Sequence, residues 1–226
     1  MKIAIIDSGC FNHIHLRENL ILGKNFTTEG NSQNVDDNFG HGTHVAGIIH
    51  SIIPEAQLLI VKVLDRYGKG NIEDVTEGIY YAIEKNVDII NISISFEDED
   101  KEMEEAIQLA KDKNIPVICA AGNNNVIEYP AQYGISAGSL DPTSGNISEF
   151  CSKDCVIYAP GENVTSTYLN DSYETMTGTS MATAKVTGYI AKEIKNKRDI
   201  VKFVEENKYI YKGCLLYTSP SPRDCS

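Results

Sequence analysis

Three short stretches carry residue types that could do chemistry together: Ile6-Asp7-Ser8-Gly9, His41-Gly42-Thr43-His44 and Gly178-Thr179-Ser180-Met181-Ala182. They supply a carboxylate, an imidazole and a hydroxyl. A serine hydroxyl is a poor nucleophile at neutral pH until a neighbouring base takes its proton. Histidine is the natural base, and a buried carboxylate fixes its tautomer and steadies the imidazolium that forms. Asp7, His41 and Ser180 are therefore competent, if brought together, for acyl transfer through a covalent intermediate. A lone Gly-Thr-Ser is common, so it is the three stretches in the order acid, histidine, serine that carry the reading.

Such groups must be held at the ends of rigid elements. Lys2–Ile6, Leu58–Leu64, Val87–Ser93, Ile115–Ala121 and Val156–Ala159 read as strands, most of them short Ile- and Val-rich runs suited to burial on both faces. Amphipathic stretches alternate with them. Glu73–Asn86 places Val75, Ile79 and Ala82/Ile83 on one helical face with Asn71 as its N-cap, and Glu99–Lys113 repeats the pattern with Met103, Ala106, Ile107 and Ala110. His41 opens a helix through Ile53, and Thr179–Lys195 forms a long helix near the end. This alternation predicts an α/β fold in three layers, a mostly parallel central sheet with helices on both faces. Asp7 then ends the first strand, at the carboxyl edge where such sheets gather ligands. Ser180 falls in the first turn of a helix, where free amides and the positive end of the dipole favour an oxyanion, and its own N–H is one natural donor. His44 reads as a packing or hydrogen-bonding histidine rather than a second base.

With these motifs in place, the stretch from about Lys2 to about Lys195 resembles the subtilisin-like serine proteases, the subtilases. The resemblance implies a subtilisin-like fold and a serine endopeptidase acting through an acyl-enzyme. It implies that Ala120-Ala121-Gly122-Asn123 is the oxyanion-hole segment, with the Asn123 side-chain amide as the second donor beside the Ser180 N–H. Ser93-Ile94-Ser95 stands where the family's Ser-Leu-Gly lies along the substrate, so Ser93, Ile94, Ser95, Ala121 and Gly122 are expected to line the cleft. The side chain of Ser95, in place of glycine, narrows that cleft. Before Tyr129-Pro130, at the base of the family's pocket for the residue preceding the scissile bond, stands Glu128, which implies a preference for Lys or Arg. The short segment Ser51–Gln57 leaves no room for a calcium loop found in many secreted relatives. Ala184-Lys185 replaces the family's Pro-His, which implies altered packing rather than altered chemistry. Two narrower readings stand beside the general protease: a processing enzyme or peptide ligase dedicated to one precursor peptide, and an inactive binding relative.

The composition sets the remaining bounds. A net charge of −12 argues against nucleic acid as a partner and suits cationic peptides. The acidic run Glu97–Asp100 with Glu102, Glu104 and Glu105 reads first as a helix start whose acids complement the dipole, and otherwise as an acidic lip to the cleft. No run has the roughly 18 apolar residues of a membrane helix. Neither a secretory signal nor a pro-segment is legible, so a cytoplasmic location is expected. The partner is a peptide or protein substrate, and the oligomeric state is not legible. Six cysteines are too sparse for a disulfide scaffold. Cys119 reads as a buried small hydrophobe, and Cys151 and Cys155 as unpaired thiols rather than a metal site or a disulfide. Cys10, His13 and His15 fall in what reads as a turn entering a short helix, His13 to Leu22, with exposed imidazoles. No cofactor and no metal are expected. Residues 1–213 are taken as one peptidase domain, and 214–226, aperiodic and holding two prolines, as a disordered or non-native tail.

Overall fold

The computed structural model describes residues 1–211 and 214–216, residue 211 and the last three as backbone. Its chain order is β1 (Lys2–Asp7), β2 (Leu20–Asn25), α1 (His41–Ile52), β3 (Gln57–Lys62), α2 (Ile72–Glu84), β4 (Ile89–Ile92), α3 (Lys101–Asp112), β5 (Val117–Ala120), β6 (Ile135–Leu140), β7 (Ile157–Pro160), β8 (Val164–Thr167), β9 (Tyr173–Met176), α4 (Thr179–Lys195), α5 (Ile200–Glu206), β10 (Tyr209–Tyr211) and β11 (Cys214–Leu216). The strands form a nine-stranded sheet among the described residues, in the order β11-β10-β7-β6-β5-β4-β1-β3-β2, with β8 and β9 as a separate hairpin. Every pairing in the large sheet is parallel except β10 with β11. Most of the expected tail therefore lies outside the described residues, and its first three described residues pair with β10.

The apolar runs are continuous because both sheet faces are covered. Along β1, Ile3 and Ile5 point to the layer formed by α1, α4 and α5, whereas Ala4 and Ile6 point to the layer of α2 and α3. Val45, Ile48, Ile49, Val186 and Ile190 fill the first layer, and Val75, Ile79, Met103 and Ile107 the second. The expected Asn71 cap and the apolar helix faces are present, and Asp100 adds a cap that was not expected. The Asn71 side chain accepts from the Asp74 N–H at 2.7 Å, and that of Asp100 accepts from the Met103 N–H at 2.8 Å.

One expected helix is absent, and β6, the β8–β9 hairpin, α5 and β10 are elements the sequence did not mark. The helix expected at His13–Leu22 is a turn followed by β2, which pairs with β3. Leu20-Ile21-Leu22 is short enough for either state, and the edge of the sheet decides it. Asn19 Nδ2 ties the turn to the Pro54 and Ala56 carbonyls at 2.7 and 2.8 Å. Gly23, at a register shift between Leu22 and Lys24, brings β2 so close to β3 that a Cβ there would lie 2.1 Å from the Ile60 oxygen. The His13 imidazole is fully buried rather than exposed, with Nε2 3.2 Å from the Ser172 carbonyl oxygen, while His15 is exposed as expected. The strand β6 was not legible because Ile135-Ser-Ala-Gly-Ser-Leu140 lacks an Ile/Val run; Ser136 and Ser139 are buried with their hydroxyls bonded to Val156 N and Ser148 Oγ.

Candidate active site

The carboxyl ends of adjacent parallel strands bring the candidate residues to one edge. Asp7 is the last residue of β1, Ser93 follows β4, and Ala121–Asn123 follow β5. His41 and Ser180 enter the same edge from the first turns of α1 and α4, which pack on the same sheet face.

Asp7 is completely buried, and both its oxygens accept from His41 Nδ1, at 2.8 and 2.9 Å. A carboxylate only accepts, so Nδ1 carries the proton and Nε2 is left as the base. Burial pulls the His41 pKa down, but the Asp7 carboxylate, with a further contribution from Asp37, outweighs it and holds the pKa above the usual histidine value. The Ser8 N–H donates to Asp7 Oδ1 at 2.7 Å and completes its setting.

Sequence reasoning missed what holds His41 itself. The N-cap of α1 is Gly40, which has no side chain to satisfy the first amides. Buried Asp37 serves instead. Its Oδ1 accepts from Phe39 N, Gly40 N and Ser8 Oγ, and its Oδ2 from Thr43 N at 2.9 Å and Thr43 Oγ1 at 2.6 Å. An acid shortly before a glycine that opens a helix was the available signal. His44 is buried, with Nε2 3.0 Å from the carbonyl oxygens of both Val164 and Glu174, so it fastens α1 to the β8–β9 hairpin. Burial lowers its pKa, as fits a structural imidazole.

Ser180 and Ser93 bond reciprocally. Ser180 Oγ donates to the Ser93 carbonyl at 2.9 Å, and Ser93 Oγ donates to the Ser180 carbonyl at 3.2 Å. The chain Thr187 Oγ1 to Asn91 Oδ1, and Asn91 Nδ2 to Ser93 Oγ, buttresses this pair from inside the protein. The structure therefore joins Asp7 to His41 and Ser180 to Ser93, but it forms no hydrogen bond between His41 and Ser180. Were His41 to take this proton, the hydroxyl would first have to leave Ser93; hydrogen bonds in enzyme sites commonly tighten only when a ligand is bound.

Asn123 is exposed beside the first turn of α4. Its Oδ1 accepts from the Thr179 N–H at 3.0 Å and from the Thr179 hydroxyl at 3.2 Å. With the oxygen committed, the amide's orientation is fixed and its Nδ2 donors stay uncommitted. The Ser180 N–H, one residue further on, has no intrahelical acceptor. An arriving negative charge would meet both donors and the positive end of the helix dipole.

The expected substrate-lining residues also gather here. Ser93 is buried, Ile94 and Ser95 are half-buried, and Phe96 pairs with Tyr129 through backbone bonds of 2.7 and 2.9 Å. Ala121 and Gly122 are buried, and the Ala121 carbonyl accepts from the Glu128 N–H at 2.9 Å. The Glu128 side chain, only 7% exposed, lies against Gly122, where φ is +96° and a Cβ would stand 2.5 Å from Glu128 Cδ. Only glycine suits that backbone and that contact. Glu128 Oε1 accepts from Asn124 Nδ2 at 2.7 Å, a partner the sequence did not reveal, and Oε2 has no hydrogen-bond partner among the described residues. Cys119, Cys151 and Cys155 are buried and free, the last two with sulfurs 4.0 Å apart. No group of three His, Cys, Asp or Glu side chains suited to a metal ion occurs among the described residues.

Comparison with known proteins agrees with this architecture. The model of the subtilase family matches residues 1–218. The major intracellular serine protease of Bacillus subtilis (strain 168) is 38% identical, over 92% of this chain and 70% of that protein. The intracellular serine protease of Paenibacillus polymyxa is also 38% identical, over 89% of this chain and 70% of that protein. Among solved structures, a cold-adapted subtilisin-like serine proteinase superimposes with a TM-score of 0.83 at 26% identity, covering 92% of this chain and 80% of that one. Matched from its first residue through all three motif stretches, the chain belongs to the subtilase family and is a subtilisin-like serine peptidase.

Proposed function

We propose that Asp7, His41 and Ser180 are the catalytic triad of an endopeptidase. Ser180 Oγ attacks the scissile carbonyl while its proton passes to His41 Nε2. Asp7 holds Nδ1–H throughout and stabilises the imidazolium. The oxyanion is received by Asn123 Nδ2 and the Ser180 N–H. His41 then gives its proton to the departing amine, and water, deprotonated in turn by His41, hydrolyses the acyl-enzyme and restores the Ser180 hydroxyl. The observation that carries this reading is the two-oxygen grip of buried Asp7 on His41 Nδ1, which leaves Nε2 as a base.

Substrates are peptides or proteins with Lys or Arg before the scissile bond. Glu128 supports this, because one oxygen of a nearly buried carboxylate is left open beside the Ala121-Gly122 segment. An intracellular setting is supported by the names of the two relatives from Bacillus subtilis and Paenibacillus polymyxa.

A fluorophosphonate probe tests the triad. Wild type is expected to label at Ser180, and Ser180→Ala to remain unlabelled. Absence of labelling in folded wild type, under conditions where trypsin labels, would sink the reading. Peptides differing only in Arg, Lys, Leu or Phe at the position before cleavage test the pocket, and preference for Leu or Phe would remove the assignment of Glu128.

A further inference from the structure

We propose that Lys62 is a positioning residue of this active site: its buried ammonium anchors the strand end that carries Asp7 and balances the two buried carboxylates that govern His41. The inference rests on the triad reading and adds a residue to it.

Lys62 ends β3 directly opposite Asp7 in the parallel register, after the apolar run Leu58-Leu59-Ile60-Val61. A lysine 2% exposed at such a position needs a compensating role, because burying a charge is costly unless it is paired and hydrogen-bonded. Its Nζ donates to the Ser8 carbonyl at 2.6 Å and to the Leu64 carbonyl at 2.8 Å.

Ser8 is the joint on which the acid–base half of the site turns. Its N–H donates to Asp7, its hydroxyl to Asp37, and its carbonyl accepts from Lys62. The Ser8 hydroxyl also accepts from the Gly42 N–H, next to His41. Lys62 thus holds the residue that couples the triad acid to the loop presenting the triad base.

The charges lead to the same conclusion. Asp7 from β1, Asp37 from the loop before α1, and Glu29 and Asp65 from flanking loops all favour the ammonium, while burial, the larger influence, lowers its pKa. Glu29 is largely occupied by Arg66. Facing His41 are Asp7 and Asp37, with His44 on its own helix. With Lys62 charged and His41 neutral, Asp7, Asp37 and Lys62 leave a single net negative charge, which the imidazolium neutralises during turnover. Removing Lys62 leaves a second negative charge uncompensated. The His41 pKa then rises, and more of the base is protonated at neutral pH.

The test compares wild type with Lys62→Met on a chromogenic peptide across pH, with rates normalised to active sites titrated by fluorophosphonate. The expected result is a fall in kcat of about tenfold or more, with KM within about twofold, since an effect on the base is felt in the chemical step. The acid limb of kcat/KM is expected to move up by about half a pH unit or more. If Met at this position prevents folding, Lys62→Gln, which keeps a donor but not the charge, carries the same comparison. An acid limb that stays in place, or an unchanged kcat per titrated site, would overturn the assignment, because loss of mere structural support alters yield and stability but not the titration of His41. If wild type itself does not label, the triad reading fails; if wild type labels and the limb stays in place, only the role of Lys62 fails.

Discussion

The two halves of the site are built differently. Around Asp7 and His41, side chains do the positioning, in a buried network of Ser8, Asp37, Thr43 and Lys62 whose partners lie far apart in sequence. Around Ser180 and Asn123, backbone does most of it: a helix N-terminus, the Ser93 carbonyl and the Thr179 amide. The first half is assembled before substrate arrives. The second is held with the hydroxyl turned to Ser93 and the proposed oxyanion donors uncommitted. The difference suits the tasks proposed for them, since a base needs a fixed tautomer and pKa, whereas a nucleophile and oxyanion donors must change partners during turnover.

The largest break in this comparison is Ser180→Ala. We expect kcat to fall about a million-fold, the scale known for the corresponding change in subtilisin. Steady-state hydrolysis checks it, while Asp7 and His41 remain paired because the hydrogen bonds between them do not involve Ser180. Asn123→Ala comes next. It should lower kcat by about 10²–10³-fold, a magnitude that comes from subtilisin itself, with KM little changed. A comparable rise in KM would place Asn123 in ground-state binding instead.

Glu128→Gln reaches the pocket rather than the chemistry. It should reduce the preference for Arg over Leu at least about tenfold, because a charged partner in a desolvated pocket loses its counter-charge, and leave turnover of the Leu peptide nearly intact. Paired kcat/KM measurements on the two peptides decide it.

The smallest expected effect is on pH dependence. Because the folded pKa of His41 is raised, protonated His41 contributes stability in full below the unfolded value near 6.5, and that contribution is lost as pH rises through the folded pKa. Activity needs neutral His41, so kcat/KM should rise over the same interval. Thermal melts and rates recorded in parallel are expected to move in opposite directions there, with the midpoint of the rate profile above 6.5.

The legible parts of the molecule are those set by local pattern. Period marked α2, α3 and α4, with a cap read only for α2, and Ile- and Val-rich runs marked the central strands to within a few residues. The motif stretches marked Asp7, His41 and Ser180, and family resemblance added Asn123 and Glu128. Local pattern could not assign Leu20–Asn25, where pairing at the sheet edge overrode a helical reading, nor β6, whose buried serines are satisfied only by other segments. Asp37 and Lys62 were missed for a related reason. Each is an ordinary charged residue until the fold buries it, and the partner that ties each to the Asp7 strand end, Ser8, lies 29 positions from Asp37 and 54 from Lys62. His13 lacked a sequence signal because its acceptor, the Ser172 carbonyl, lies 159 positions on.

The central claim is that the acid–base half is preassembled and the nucleophile half is completed by the ligand. A crystal structure of the fluorophosphonate adduct tests it most directly. The account predicts phosphorus bonded to Ser180 Oγ, the hydroxyl oxygen turned away from the Ser93 carbonyl, and a phosphoryl oxygen between Asn123 Nδ2 and the Ser180 N–H. It also predicts that both Asp7 oxygens remain on His41 Nδ1. Phosphorus on another residue, a phosphoryl oxygen directed away from Asn123, or an Asp7–His41 pair separated in the adduct would contradict it.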